Sequence, residues 1–398
     1  MIIKDSKRLF DTICNLSDIK VKENFLNKRQ MYEFAEQIKI IYNYQNTSVG
    51  HIFQLKLLTD NSFYVMKTIE LENINGKLYS NNDTMNYILL YPYQDELQTI
   101  LKIYNIFYSN ILLSKHINNK TKQNSIYTIN NNSGEVHNKN ITLLKKNNYK
   151  INNTIKNDTK IYEYKIIELA DTDVDTYINS QNSDYFKKAL IILFQVIYTY
   201  NFLKKKLPNF IHDDLKSNNI ALKKTDKKFF EFKEINSNTK LFLNTNLLDN
   251  FYIKFFDYSN TSKNNTYISK CYNINEEHKT DVTSSYELIT IIYELFLAKR
   301  VLKKIKKEIK NQYIKNIFTI LITTFCESAN IDKSQFIKVI YDLEKNEEIN
   351  TIKREGIISE NDNLIEDMYN FIISNDLIKG FIELNTNKPD DNDIFKIS

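Results

Sequence analysis

Phe210-Ile-His-Asp-Asp-Leu-Lys-Ser-Asn-Asn-Ile220 packs four reactive side chains into eight positions, with His212, Asp214, Lys216 and Asn219 at the fixed points of H-x-D-x-K-x-x-N. This spacing meets the needs of phosphoryl transfer. A carboxylate takes the proton of an attacking hydroxyl, an ammonium neutralises charge building on the transferring group, and an amide carbonyl holds a magnesium ion. Asp214, Lys216 and Asn219 fit those three tasks in turn. Because the chain is rich in Asn, Lys and Asp, the loop stands as a hypothesis that its surroundings must support.

Working outward, Asp184 to Lys205 sets Leu190, Leu193, Phe194, Ile197, Tyr200 and Phe202 along a helix that closes with Lys204-Lys-Lys206 and Pro208. That helix delivers the chain to the loop. Beyond the loop, Ile220-Ala-Leu222 and Tyr252-Ile-Lys-Phe-Phe256 read as strands flanking an Asn- and Lys-rich loop, and Asp281 to Leu297 reads as a helix with more helices after it. Upstream, residues 48–71 read as two strands joined at Thr59-Asp60-Asn61-Ser62, and Tyr162 to Leu169 as a short strand before the acidic turn Asp171 to Asp175. Leu97, Ile100, Leu101, Tyr104, Ile106 and Phe107, behind Asp95 and Glu96, predict a helix over 95–113. Residues 116–160 are mostly Asn, Lys and Thr, which predicts a long polar insertion; Asn385 to Asp393 is acidic, Asn-rich and expected to be disordered.

Composition narrows the class. A chain of 398 residues with 42% apolar content can bury a core in one two-lobed domain or two modest ones. Its net charge of +5 comes from interspersed residues with no Arg-rich block, so nucleic acid is not implied. Cys14, Cys271 and Cys326 lie far apart, without a C-x-x-C pair, which points away from a disulfide framework or a zinc site and toward a reducing, intracellular setting. No apolar run is long enough to span a bilayer and the N-terminus lacks a signal core, so a soluble or peripherally attached protein is expected.

Four residues outside the loop extend the chemistry. Lys67, in Tyr64-Val-Met-Lys67, closes the second strand of the early hairpin, where an inward ammonium can clamp nucleotide phosphates. Glu96 is the candidate carboxylate to fix its rotamer. Gly50, in Thr47-Ser-Val-Gly-His-Ile-Phe53, allows backbone N–H groups to approach phosphates closely. Asp257 follows an apolar strand in Phe255-Phe-Asp-Tyr-Ser259 and is suited to share magnesium with Asn219. Taken singly, these are an ordinary strand lysine, a helix-end charge, a plain turn and a turn aspartate. Their order along one chain gives them weight.

The ordered set resembles the protein kinase superfamily from about Thr47 to about Leu297. Gly50 with Phe53 is similar to the Gly-rich loop, Val65-Met-Lys67 to the strand-lysine motif, and Glu96 to its helix glutamate. Ile166-Ile-Glu-Leu-Ala-Asp171 resembles the hinge, which implies adenine contacts from the backbone of Glu168 and Ala170. His212 to Asn219 resembles the catalytic loop, with His212 in structural support, and Asp257-Tyr-Ser259 the metal-binding segment. Asp281 resembles the buried aspartate that opens the next large helix and braces the catalytic loop. The closest likeness is to the divergent virion-associated serine/threonine kinases of poxviruses and other large DNA viruses, since Asp257 and Asp281 are only 24 positions apart with no Ala-Pro-Glu between them. There are departures. Asp213 replaces an arginine that receives an activating phosphate, which argues against control by phosphorylation of the short segment. Ser259 stands for a glycine, and Gly50 is alone where three glycines are usual.

The resemblance implies an α+β, bilobal protein kinase-like fold: a small antiparallel β lobe with one helix, a larger mainly α lobe, and ATP in the cleft. Residues 1–168 would form the N-terminal lobe with its insertion, 169–345 the helical lobe, and 346–398 a C-terminal extension. The activity implied is transfer of the γ-phosphoryl group of Mg-ATP to Ser or Thr of protein substrates, among them virion or membrane-associated viral proteins, in host cytoplasm or virion. Two alternatives stay open: a catalytically weak pseudokinase serving as a scaffold, and a small-molecule phosphotransferase, against which Lys216 counts.

Overall fold

In the computed structural model, residues 25–110, 160–258, 284–341 and 361–398 are described, apart from single positions and short gaps within those ranges. Their secondary structure is mixed α and β, with sheets that are mostly antiparallel. By internal contacts the chain divides into two units, residues 1–91 with 102–169, and residues 92–101 with 170–398.

The first unit opens with helix α1 (Lys28–Gln37), which starts where Asn27 and Gln30 cap each other: the Asn27 side chain accepts from the Gln30 N–H and the Gln30 side chain from the Asn27 N–H. The next strands are β1 (Ile38–Thr47), β2 (Gly50–Leu57), β3 (Phe63–Glu70), the small ribbon β4 (Glu72–Ile74) and β5 (Lys77–Tyr79), then β6 (Ile103–Ser109) and β7 (Tyr162–Glu168). Five of them form an antiparallel sheet in the order β1-β2-β3-β7-β6. Period-two alternation sends Phe53, Leu55, Met66, Tyr164 and Ile166 to one face, where Met31, Ala35 and Ile38 cover them. Phe107 stacks on Tyr164 at 4.9 Å between centroids. The β2–β3 hairpin turns where the sequence marks it, with Asn61 at φ 61° and the Leu57 N–H donating to Ser62 O.

The expected helix over 95–113 is corrected. Tyr91–Tyr93 form a 3-10 turn around Pro92, and residues 99–101 bridge to Phe255: the Phe255 N–H donates to Thr99 O at 2.8 Å and the Leu101 N–H to Phe255 O at 3.1 Å. Residues 103–109 then run as β6. Burial explains this, since Leu97, Ile100 and Leu101 are buried by the 92–101 excursion, while aromatic and β-branched residues fill β6.

In the second unit, β8 (Thr172–Asp173) leads into α2 (Val174–Ser180), capped by Asp173, and then α3 (Tyr185–Lys206). Sixteen of the 22 residues of α3 are buried, on every side, so this is a core helix rather than an amphipathic surface one. Glu308 serves its first turn, accepting from the N–H groups of Tyr185 and Phe186 at 2.6 and 2.9 Å. Strands β9 (Ile220–Lys224) and β12 (Phe251–Phe255) pair antiparallel as the sequence suggests. Between them lies a second hairpin that the polar composition hid, β10 (Phe229–Lys233) and β11 (Lys240–Asn244). Helix α4 (Ser284–Ile292) passes through a π turn at Tyr293–Leu297 into α5 (Lys299–Glu308), followed by α6 (Gln312–Ser328), α7 (Leu364–Ser374) and α8 (Asp376–Ile382).

The C-terminal residues overturn a second expectation. Far from lacking order, they form β13 (Ile394–Lys396), parallel to β10, and the Ile397 N–H donates to Glu231 O at 2.9 Å. Ile397 is fully buried, and the acidic residues before it are tied down, Asp393 to Lys228 and Asp391 to Lys388. The insertion expected over 116–160 lies almost wholly outside the described residues, and so do Asp213, Ser259, Asp281, Cys14 and Cys271. No helix among the described residues is long and apolar enough to cross a membrane.

Candidate active site

The end of α3 and the start of β9 fix the two ends of the loop that carries Asp214. Within it, the Lys216 ammonium donates to both carboxylate oxygens of Asp214, at 2.9 and 2.8 Å, and the Asn219 amide donates to Asp214 Oδ2 and to its backbone carbonyl, both at 2.9 Å. The three side chains therefore form one unit. Asp214 and Lys216 each keep about a third of their side-chain surface exposed (31% and 35%), enough for an incoming group to reach them. With its nitrogen committed to Asp214, Asn219 has its amide oxygen left as the atom able to face a cation.

The pairing of Ile220 with Phe255 brings the segment after β12 beside Asn219, and the Phe256 N–H approaches Asn219 O at 3.4 Å. Asp257 comes next, partly buried and at φ 60°. Non-glycine residues in this left-handed region are strained, and such strain gathers at functional sites. His212 fastens the two segments together. Its ring is fully buried, Nε2 donates to Phe256 O at 2.9 Å, and Tyr258 lies 4.9 Å away by centroid. A carbonyl acceptor fixes the proton on Nε2.

The loop is braced by a residue that the sequence reading passed over. Glu287 of α4, 2% exposed, accepts the His212 N–H and the Leu215 N–H, both at 3.0 Å, as well as the Tyr200 hydroxyl. Glu294, two turns further on in the π segment, accepts the Ser217 N–H at 2.6 Å. Two carboxylates on one helix thus hold three backbone donors of the loop, a use of an irregular helical turn often met at functional sites. Asp281 was expected in this bracing role and lies outside the described residues. The acidic residue six positions later in Ser284-Ser-Tyr-Glu287 was the available signal.

In the first unit, Lys67 stands on β3 opposite Lys165 of β7, and Ile69 opposite Glu163. The period of two sets Lys67, Lys165 and Glu163 on the sheet face opposite to the Met66 and Tyr164 core. Lys165 and Glu163 are fully buried there: the Lys165 ammonium lies 5.8 Å from the centroid of the Tyr87 ring and the Glu163 carboxylate accepts from the Thr84 hydroxyl. Glu96, the expected partner of Lys67, belongs instead to the second unit, on a turn rather than a helix, where it pairs with Lys206 at 2.8 Å. Gly50 opens β2 across from Thr47.

Glu168 ends β7; its N–H donates to Lys102 O at 2.8 Å and its carboxylate accepts the Lys102 N–H at 3.3 Å. Burial pushes the neighbouring Tyr104 hydroxyl up to about 12, with the Glu168 carboxylate adding to the effect. Ala170 is the first residue of the second unit after β7, and Asp171 beyond it accepts the Lys224 N–H.

Among the described residues no three His, Cys, Asp or Glu side chains gather as a ready-made metal cage. A magnesium ion does not need one, since it is usually held by one or two carboxylates together with substrate phosphates and water. Asn219 Oδ1 and the Asp257 carboxylate are a donor set of that kind. No protein-family model matches the chain, and no curated protein matches it.

Proposed function

We propose that the protein is a serine/threonine protein kinase of kinase-like bilobal fold, acting on protein substrates with Mg-ATP. The observation that carries the reading is the unit formed by Asp214, Lys216 and Asn219, held on a loop whose backbone donors are anchored at three points. Asp214 accepts the proton of the Ser or Thr hydroxyl as its oxygen forms the new bond to phosphorus and the bond to the departing nucleoside diphosphate breaks. Lys216, already beside Asp214, neutralises the charge on the transferring phosphoryl oxygens. Asn219 and Asp257 would hold magnesium, which supplies charge neutralisation on the phosphates. Gly50, Lys67, Glu168 and Ala170 have the nucleotide-contacting roles in this reading, whereas Glu96 has lost the helix that motivated its assignment.

Two features support the fold. The first unit has the meander β1-β2-β3 followed by a crossover to β7 and β6, and the second has a buried core helix running into the catalytic loop. The scaffold alternative draws on the single Gly50, and the small-molecule alternative is opposed by Lys216. Incubation with labelled ATP, magnesium and mixed acidic and basic proteins tests the reading: label should enter protein seryl or threonyl residues, and label found only in small alcohols would contradict it.

A further inference from the structure

Helix α5 carries charge that the phosphoryl-transfer reading does not use. From Lys299 to Lys310 there are seven basic residues against one acid, a local charge of +6 in a chain whose net charge is +5. The one acid, Glu308, is turned inward onto the first turn of α3. Lys304 is also spent: its ammonium donates to the carbonyls of Ile178, Asn179 and Gln181 at the end of α2, at 2.8, 2.7 and 2.8 Å. Of the others, Lys299, Lys303, Lys307 and Lys310 are exposed and, among the described residues, without an ion pair, and Lys303, Lys307 and Lys310 follow Arg300 at helical spacing as one row. A solvated basic face is the ordinary reading of such a row.

Its starting point argues for more. Arg300, one turn before Lys303, pairs with Asp175, and the same Asp175 oxygen accepts the Ser217 hydroxyl at 3.2 Å. Ser217 directly follows Lys216. The row therefore begins at a side chain tied to the catalytic loop and leads away from it along α5, about 10 Å from Arg300 to Lys307. That is the span of about three residues of extended peptide. A lipid surface would also attract a basic face, but the apolar residues of this helix, Val301, Leu302 and Ile305, are fully buried and leave nothing to enter a bilayer.

We infer that Lys303, Lys307 and Lys310 form a docking row for an acidic stretch close to the phosphoacceptor residue of a protein substrate. The phosphoacceptor's part rests on the kinase reading; the binding of an acidic peptide does not. Three peptides test it, alike except that the Ser is flanked by Ala, preceded by four Glu, or followed by four Glu. With the wild-type protein, one acidic peptide should show a KM about tenfold below that of the neutral peptide. Lys303→Glu combined with Lys307→Glu and Lys310→Glu should erase that preference and leave kcat on the neutral peptide unchanged.

Fluorescence anisotropy with Ser→Ala versions of the same peptides reads binding apart from turnover. Salt-sensitive binding of an acidic peptide, lost in the triple variant, would uphold the docking row even if no peptide were phosphorylated and the kinase reading fell. Equal affinity for acidic and neutral peptides, or a preference that survives charge reversal, would overturn it. So would phosphatidylserine vesicle binding that the triple variant loses, if it came without any discrimination between peptides.

Discussion

Asp249, at φ 50° ahead of β12, shows how a single carboxylate ties elements of the second unit together, accepting the Tyr177 hydroxyl and the Lys188 ammonium, both at 2.7 Å. Burial by itself would raise its pKa, but the hydrogen bonds from Lys188 and Tyr177 outweigh it and hold the carboxyl below its usual value. A depressed folded-state pKa gives stability that is present above the unfolded value of about 4 and is lost as pH falls through the folded value. Asp249→Asn should therefore lower the urea midpoint at pH 7, and the gap to wild type should close in acid; a gap that persists at pH 2 would contradict this. Cys326 is the opposite case, a fully enclosed thiol that burial pushes up to about 12. Iodoacetamide at pH 8 should leave it unmodified in the folded protein and label it in urea, as read by peptide mass mapping. At this scale the sequence was most legible where chemistry is local. His212, Asp214, Lys216 and Asn219 are found together because their spacing along the chain is their spacing in the site. Glu287 was visible only as an acid near the start of the next helix, and its bracing role was not legible, since the donors it accepts lie 75 and 72 positions away.

Helix α4 bears on the site more than any other element. Its Glu287 takes two backbone donors out of water, and truncating it would take the acceptor from the Leu215 N–H and leave the His212 N–H only the Tyr200 hydroxyl at 3.3 Å, at roughly 1–3 kcal/mol for each donor. Glu287→Ala should thus cost about 2–5 kcal/mol in urea unfolding and reduce turnover with it; a loss under about 1 kcal/mol would show that the brace is dispensable. A long apolar run closed by Lys204-Lys-Lys206 and Pro208 made α3 readable, and turn residues between two β-rich runs made the β2–β3 hairpin readable. Periodicity misled at 95–113, where apolar spacing suited a helix but the backbone of residues 99–101 is bonded to Phe255. Composition misled at the C-terminus as well: Asn and Asp suggested disorder, yet Ile394 and Ile397 are apolar anchors set among them, and β13 forms on β10. Neither outcome could come from local propensity, because each depends on a partner strand distant in sequence.

At the scale of the whole molecule, a sheet-based unit carries Lys67 and a helix-rich unit carries the loop of Asp214. The charge is distributed unevenly, with residues 299–310 carrying +6 in a chain of net charge +5. What unites these features is the claim that Asp214 is the proton acceptor in phosphoryl transfer to a hydroxyl. Its exchange for Asn keeps a side chain that Lys216 and Asn219 can still hydrogen-bond while removing the basic oxygen. The decisive measurement is the steady-state rate of Mg-ATP-dependent phosphate transfer to protein by Asp214→Asn beside wild type, at equal melting temperature. A fall of about 10²–10⁴-fold is predicted, whereas an unchanged rate would contradict the assignment.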